Sequence, residues 1–81
     1  MPHIVVKMYK GRTKEQKTEL AKALLETAVK VTGRGAEHFS VAVEDYEQEV
    51  WSETVYDKEI VAKQDTLYVK PGYGKLAENK E

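Results

Sequence analysis

A long amphipathic helix between two segments of alternating polarity constrains the fold of this chain most. Thr13 and Gln16 have the spacing of a capping box, in which two side chains bond backbone N–H groups at a helix start. Apolar residues then recur at helical spacing until Gly33, and glycine commonly follows a helix C-terminus. They are Leu20, Ala21, Leu24, Leu25, Ala28 and Val31. The pattern predicts one helix of about five turns.

The segments on either side of this helix predict β-strands. Side chains from His3 to Tyr9 and from Phe39 to Asp45 alternate between two faces, which is the period of a strand. A strand, a helix and a second strand form a β-α-β unit with parallel strands and a right-handed crossover. Because two strands are marginal as a free-standing sheet in water, we expect a partner subunit to complete the sheet.

The last third of the sequence is less regular. It predicts a short helix at Trp51–Tyr56, a β-rich strand or hairpin segment at Thr66–Lys70, a turn at Pro71–Gly74 and a frayed charged tail over residues 75–81. With no repeat and no linker, we expect a single α+β domain over residues 1–81.

Composition excludes several classes of function. The 81 residues carry a net charge of −1 without a basic block, so no nucleic-acid partner is expected. No apolar run is long enough to span a membrane, and no signal peptide is visible. Without cysteine there is no thiol nucleophile or zinc–thiolate site, and no other residue cluster suggests a metal or a cofactor. A soluble cytoplasmic protein is the expectation.

Pro2 is the residue with the most unusual chemistry. Removal of Met1 would turn its nitrogen from an amide into a secondary amine at the start of a strand. An α-amino group has a pKa of about 7.7–8.0, and burial in an apolar pocket lowers it. Such an amine suits general-base catalysis near neutral pH. If Met1 stayed attached, the nitrogen would remain an amide and this role would be lost.

Three motifs in order resemble the 4-oxalocrotonate tautomerase family. They are the N-terminal Pro2–Lys7, the helix start Gly11–Lys17, and a carboxyl-terminal set that resembles the longer, PptA-like branch: Trp51, Val55, Tyr56, Ile60, Asp65–Tyr68 and Lys70–Tyr73. The resemblance covers residues 2 to about 74. It implies a β-α-β protomer that assembles into oligomers and an isomerase that interconverts the keto and enol forms of a 2-oxo acid without cofactor or metal.

The resemblance also implies roles for three residues. Pro2 matches the family's catalytic base and acid. Arg12 matches the arginine that binds a substrate carboxylate, and a guanidinium fork suits a planar carboxylate. Trp51 lies near the family's aromatic residue, whose apolar surface keeps the proline neutral. Two other interpretations stay open, since Arg12 could be an exposed turn residue and Trp51 a core residue.

The sequence departs from the family at Ala42, where short members carry a second arginine. Alanine cannot bind an oxygen atom, so the site lacks the two-arginine clamp that suits a dicarboxylate. A monocarboxylate with an aromatic or alkyl tail, such as phenylpyruvate enol, fits better. Ser40, His3 or Lys7 could supply another polar contact, although each is a weaker candidate than Arg12.

Alternatives remain for both function and assembly. Hydration or dehalogenation of an unsaturated acid would use a charged prolinium and a water-activating carboxylate, for which the sequence offers no clear candidate. A non-catalytic oligomeric scaffold or binding module with the same fold is the alternative from another class, because fold does not imply function. A homodimer is the expected assembly, with a hexamer also possible.

Overall fold

A computed structural model describes residues 1–77 of the chain. These residues belong to two compact units, Met1–Gln48 and a second unit that begins at Glu49. The first unit contains two strands, one long helix and a 3-10 turn, in the order β1 (His3–Tyr9), α1 (Lys14–Thr32), the turn (Ala36–His38) and β2 (Ser40–Tyr46). This order is the predicted β-α-β protomer.

The two strands form a parallel sheet whose register runs from the pair His3–Ser40 to the pair Tyr9–Tyr46. Since the strands are parallel, their N-terminal ends meet at one edge and their C-terminal ends at the other. Within residues 1–77 no third strand joins the sheet, so each of the two strands pairs with only one neighbouring strand. The sheet therefore offers surface that a partner subunit can cover, as the sequence predicted.

Helix α1 begins and ends at the residues that its sequence indicates. The Thr13 hydroxyl accepts a hydrogen bond from the Gln16 backbone N–H at 3.0 Å, and the Gln16 amide oxygen accepts one from the Thr13 N–H at 2.9 Å. Gly33 follows the helix with φ of 78°, and its N–H bonds the Val29 carbonyl at 2.9 Å. The predicted capping box and glycine terminus are confirmed.

The predicted apolar face of α1 is wrong at one residue, Val31. The side chain of Val31 is 76% exposed, whereas Val29 is half-buried in its place. Val31 lies in the last turn at the margin of the apolar stripe, which Val29 continues instead. The other predicted positions are half-buried, and no residue of α1 reaches full burial. The first unit thus has an apolar stripe without a closed core.

The second unit is built from short helical segments. Helix α2 (Gln48–Trp51) runs directly into a π-helix (Ser52–Val61), and a 3-10 turn (Gln64–Thr66) and a final helical turn α3 (Gly74–Ala77) follow. The predicted helix at Trp51–Tyr56 exists and is longer than expected. All residues that are buried among those described belong to this unit, namely Val55, Tyr56 and Leu76.

Tyr56 organises this small core. Its hydroxyl accepts a hydrogen bond from the Leu76 backbone N–H at 2.9 Å. The Tyr73 ring packs edge-on against it, with ring centroids 5.4 Å apart. Gly74 has φ of 72°, and a Cβ atom there would collide with the Tyr56 hydroxyl. Glycine is therefore required at this position both by backbone conformation and by space.

Two expectations for the carboxyl-terminal part need correction. Thr66 ends the 3-10 turn, and residues 67–70 form no strand, because nothing among the described residues pairs with them. Tyr68 is fully exposed and Val69 is 85% exposed. The predicted frayed tail does not include residues 75–77, which form α3 around buried Leu76. Its remainder, residues 78–81, lies outside the described residues.

Among the helices of residues 1–77, none combines the length and the apolar character that crossing a membrane requires.

Candidate active site

Pro2 lies at the N-terminal edge of the sheet, immediately before β1. Its ring is half-buried, while the preceding Met1 is 90% exposed. The Pro2 carbonyl accepts a hydrogen bond from the Ser40 backbone N–H at 3.2 Å. With Met1 attached, the Pro2 nitrogen is a tertiary amide, and only removal of that exposed residue would create an amine.

The next residue pair along the sheet is linked through side chains. His3 lies directly opposite Ser40, and its Nδ1 is 2.6 Å from the Ser40 hydroxyl oxygen. Both side chains stand on the sheet face that carries Val5 and Lys7, because successive strand residues alternate between faces. Pro2 and His3 are thus both bonded to Ser40, Pro2 through the backbone and His3 through its side chain.

Lys7 has its own partners farther along the same face. Its ammonium donates to the Glu44 carboxylate at 2.9 Å and to the Tyr46 hydroxyl at 3.1 Å, and it lies 5.4 Å from the centre of the Tyr46 ring. The hydrogen bond to Glu44 raises the pKa of Lys7 well above its ordinary value. The same bond lowers the pKa of Glu44. Lys7 is therefore a charge-paired residue and a poor candidate for binding a substrate carboxylate.

Ala42 and Val5 form an apolar pair between these two polar groups. They face each other across the strands, with His3 and Ser40 on one side and Lys7 and Glu44 on the other. Ala42 is half-buried, and Val5 is 39% exposed. The sheet face of this chain is therefore apolar at Ala42, the position where the sequence departs from the family that it resembles.

Arg12 is exposed in the loop between β1 and α1. Gly11, with φ of 131°, makes the turn that leads into this loop. Within residues 1–77 no hydrogen bond or ion pair holds the Arg12 guanidinium. Strand β1 has seven residues and separates Pro2 from the Arg12 loop by roughly 20 Å at about 3.3 Å per residue. One protomer therefore does not bring its own Pro2 and Arg12 together.

Trp51, the third predicted site residue, belongs to the second unit. Its side chain is half-buried, and its indole N–H donates to the Tyr73 hydroxyl at 3.2 Å. Tyr73 also packs against Tyr56, so the indole is fixed to the small core of that unit. Trp51 is not among the buried residues, and its predicted role beside Pro2 stays a prediction.

A depression on the exposed side of α1 offers no alternative site. It contains none of the predicted site residues and is lined by Lys14, Glu15, Thr18, Glu19 and Lys22. Charged side chains of both signs line it together with Thr18, whose hydroxyl donates to the Lys14 carbonyl at 2.9 Å, and every lining residue belongs to α1. It is a groove between exposed helix side chains.

Sequence reasoning missed two contacts that the strand register creates. The bond between His3 and Ser40 and the group of Lys7, Glu44 and Tyr46 both join residues that are more than 35 positions apart. Each strand's alternation placed these residues on one face, but only the register pairs them. Tyr73 belongs to a predicted turn and to the carboxyl-terminal motif, but neither indicated its hydrogen bond with Trp51.

Nearly the whole chain is similar to known tautomerases. A family model described as tautomerase enzyme matches residues 2–62, a span that includes Pro2, Arg12 and Trp51. A probable tautomerase from Xylella fastidiosa (strain 9a5c) is 43% identical over 77 residues, which cover 95% of this chain and 94% of the relative.

Proteins named tautomerase PptA are also similar. The one from Enterobacter sp. (strain 638) is 38% identical and the one from Escherichia coli (strain SMS-3-5 / SECEC) is 31% identical, each over 74 residues. These matches cover 90% of this chain and 97% of each relative. The similarity therefore extends through both units and beyond the part that the family model matches.

Proposed function

The chain belongs to the tautomerase family and is an isomerase of the tautomerase type, and from that premise we propose that Pro2 is the general base and acid that interconverts the enol and keto forms of a 2-oxo acid. The observation that carries the proposal is the position of Pro2, half-buried at the sheet edge behind an exposed Met1. Trimming of Met1 creates the amine.

The absence of cysteine favours the cytoplasm as the location of the protein in this proposal.

The proposed reaction moves one proton from oxygen to carbon and needs no co-reactant. The neutral Pro2 amine accepts the proton of the enol hydroxyl, the C–O bond becomes a carbonyl, and the electrons of the C–C double bond take a proton from the prolinium at the adjacent carbon. Partial burial of Pro2 favours the neutral amine, because removing a charged group from water is unfavourable. The same nitrogen thus acts first as base and then as acid, and the amine is regenerated.

The carboxylate anchor comes from a second subunit in this proposal. Since β1 keeps Pro2 and Arg12 of one protomer apart, we assign the role to the partner subunit's Arg12, in a homodimer that pairs each Pro2 with it. The open sheet supports such an assembly. A two-fold dimer repeats the same contact twice, so it would contain two equivalent sites. Trp51 would supply apolar surface near the substrate, and a hexamer built from such dimers would keep the same pairing.

The proposed substrate is a monocarboxylic 2-oxo acid with an apolar tail, such as phenylpyruvate enol. Ala42 and Val5 make the sheet face apolar where a second arginine would bind another carboxylate. Lys7 is held by Glu44 and Tyr46 and does not replace that arginine. One cationic anchor and apolar surroundings favour a substrate with one carboxylate.

The pH dependence of phenylpyruvate enol ketonisation tests the base, using protein whose intact mass proves that it starts at Pro2. We expect kcat/KM to rise with pH through an ionisation below the ordinary α-amine pKa of about 7.7–8.0. Pro2→Leu, whose larger side chain prevents removal of Met1 and so leaves no terminal amine at position 2, should reduce kcat about 10²- to 10⁴-fold. No rate above buffer from the verified protein would reject the proposal and favour the alternative of a non-catalytic scaffold.

Mixed dimers test the origin of the arginine. Pro2→Leu and Arg12→Ala protomers, unfolded together and refolded at equal concentration, form heterodimers with one intact site if Arg12 acts across the interface. Random pairing in a two-fold dimer then restores about a quarter of the wild-type activity. If Arg12 served Pro2 of its own protomer, no site would be intact and the mixture would stay as inactive as its components.

A further inference from the structure

Ser40 is hydrogen-bonded to both Pro2 and His3, and neither bond has a role in the proposed reaction. Ser40 contacts two consecutive residues of the other strand, since its N–H bonds the Pro2 carbonyl at 3.2 Å and its hydroxyl lies 2.6 Å from His3 Nδ1. Both contacts lie at the end of the strand pair, where Pro2 meets the sheet.

A strand end is the part of a sheet where pairing is weakest. Chain termini fray unless they are tied down, and Pro2 has no N–H with which to join the ladder. Among the described residues, the Ser40 N–H is the group that bonds the Pro2 backbone. This bond fixes the peptide plane that follows Pro2 and leaves rotation about the Pro2 Cα–C bond as the remaining freedom of the ring and its nitrogen.

The His3–Ser40 side-chain bond reinforces the same pair of residues. It joins partner positions of the parallel register, whose side chains lie on the same face of the sheet. Glu44 and Lys7 are the charged groups on the same face, and they bond each other rather than His3 or Ser40. The serine hydroxyl therefore has the imidazole as its partner, and breaking this bond would free the first pair of the ladder to open.

We propose that His3 and Ser40 are positioning residues that hold the Pro2 backbone at the sheet edge and so orient the catalytic amine. The consequence for catalysis rests on the proposed function of Pro2, whereas the consequence for strand pairing does not. Neither side chain needs to touch the substrate. Their removal should therefore lower kcat by misorienting the base while leaving the KM for substrate nearly unchanged.

Four variants of the Met1-trimmed protein test the proposal. His3→Phe and Ser40→Ala remove the side-chain bond, Ser40→Thr keeps the hydroxyl, and Lys10→Ala is the matched control that breaks the ion pair between Lys10 and Glu47 near the opposite end of the strands. Two readouts are measured on each variant: amide hydrogen exchange at residue 40, and kcat and KM for enol ketonisation.

We expect His3→Phe and Ser40→Ala to accelerate exchange at residue 40 and to lower kcat, each by about 2- to 12-fold, the factor that corresponds to one net hydrogen bond. Ser40→Thr should restore both values, and Lys10→Ala should change neither. Unchanged exchange in His3→Phe and Ser40→Ala, or faster exchange with unchanged kcat, would overturn the proposal. An inactive wild type would instead refute the proposed function, and the exchange rates would still report whether the side-chain bond holds the strand end.

Discussion

The two units of this chain distribute regular structure and burial in opposite ways. The first has a 19-residue capped helix and two paired strands, yet none of its residues is fully buried. The second has only short helical segments, yet it contains Val55, Tyr56 and Leu76, the buried residues of the described chain. Secondary structure and core formation are therefore separate properties of this sequence.

The difference follows from what each unit can cover. A two-stranded sheet with one helix leaves one sheet face without a helix, and such a sheet is marginal in water. In the second unit, Tyr56 combines an apolar ring with a hydroxyl that bonds the backbone of α3, so a few residues close a core. We infer that the first unit depends on a partner subunit and that the second supplies packing of its own.

The largest effect is expected from the core of the second unit. Leu76→Ala removes a buried side chain and should lower the free energy of unfolding by about 2–5 kcal/mol, measured by urea denaturation at fixed protein concentration. Val69→Ala is the matched control, because Val69 is 85% exposed and its change should stay within about 0.5 kcal/mol. Equal losses in both variants would break the comparison, since a partner would then bury Val69 as deeply as Leu76.

A smaller effect is expected at the start of α1. Thr13→Ala removes the hydroxyl that accepts the Gln16 N–H and should lower the free energy of unfolding by about 1 kcal/mol. Thr13→Ser keeps the cap and should retain nearly all of the wild-type stability. If Thr13→Ala cost nothing, contacts with a partner, rather than its own cap, would hold the helix in the first unit.

The smallest effect concerns the exposed ion pair on the sheet. The pKa of Glu44 is lowered from its ordinary 4.5 by its bond to Lys7, so the pair stabilises the fold above that pH and the contribution is lost as pH falls through the folded-state value. The pKa of Lys7 is raised from 10.5, so its contribution is lost only in strong alkali. The Tm of wild type should therefore exceed that of Glu44→Gln at pH 7, and the gap should close in acid.

A Tm difference between wild type and Glu44→Gln that persists at low pH would mean that the shape of the Glu44 side chain, rather than its charge, accounts for the stabilisation. Added salt provides a second check, since screening weakens an exposed ion pair. The Tm difference at pH 7 should shrink between low and high ionic strength. These measurements separate the electrostatic stabilisation of the first unit from the apolar packing of the second.

Local patterns predicted the first unit well because its signals are local. The capping box of Thr13 and Gln16, the glycine terminus and the strand alternation each depend on residues a few positions apart. The pairing of Lys7 with Glu44 and of His3 with Ser40 was not predicted, since it depends on the register between distant strands. Val31 was misplaced because the margin of a helical stripe depends on what packs against it.

The second unit was harder to predict for a physical reason. The segment Thr66–Lys70 has the composition of a strand, but a strand needs a neighbour, and within residues 1–77 none pairs with it. Leu76 looked like part of a charged tail, and the Tyr56 hydroxyl that bonds its backbone N–H lies twenty positions away in the sequence. For the site, the sequence suggested Pro2, Arg12 and Trp51, and β1, which it also predicted, separates the first two.

The most direct test of the account compares two forms of the same protein that differ only at the N-terminus. Protein that retains Met1, produced with methionine aminopeptidase inhibited, and protein that starts at Pro2 are verified by intact mass and matched by circular dichroism. Ketonisation of phenylpyruvate enol is then measured for both. The account predicts catalysis by the Pro2-terminated form and the buffer rate for the Met1-bearing form, because an amide nitrogen is no base. Equal rates in the two forms would contradict it.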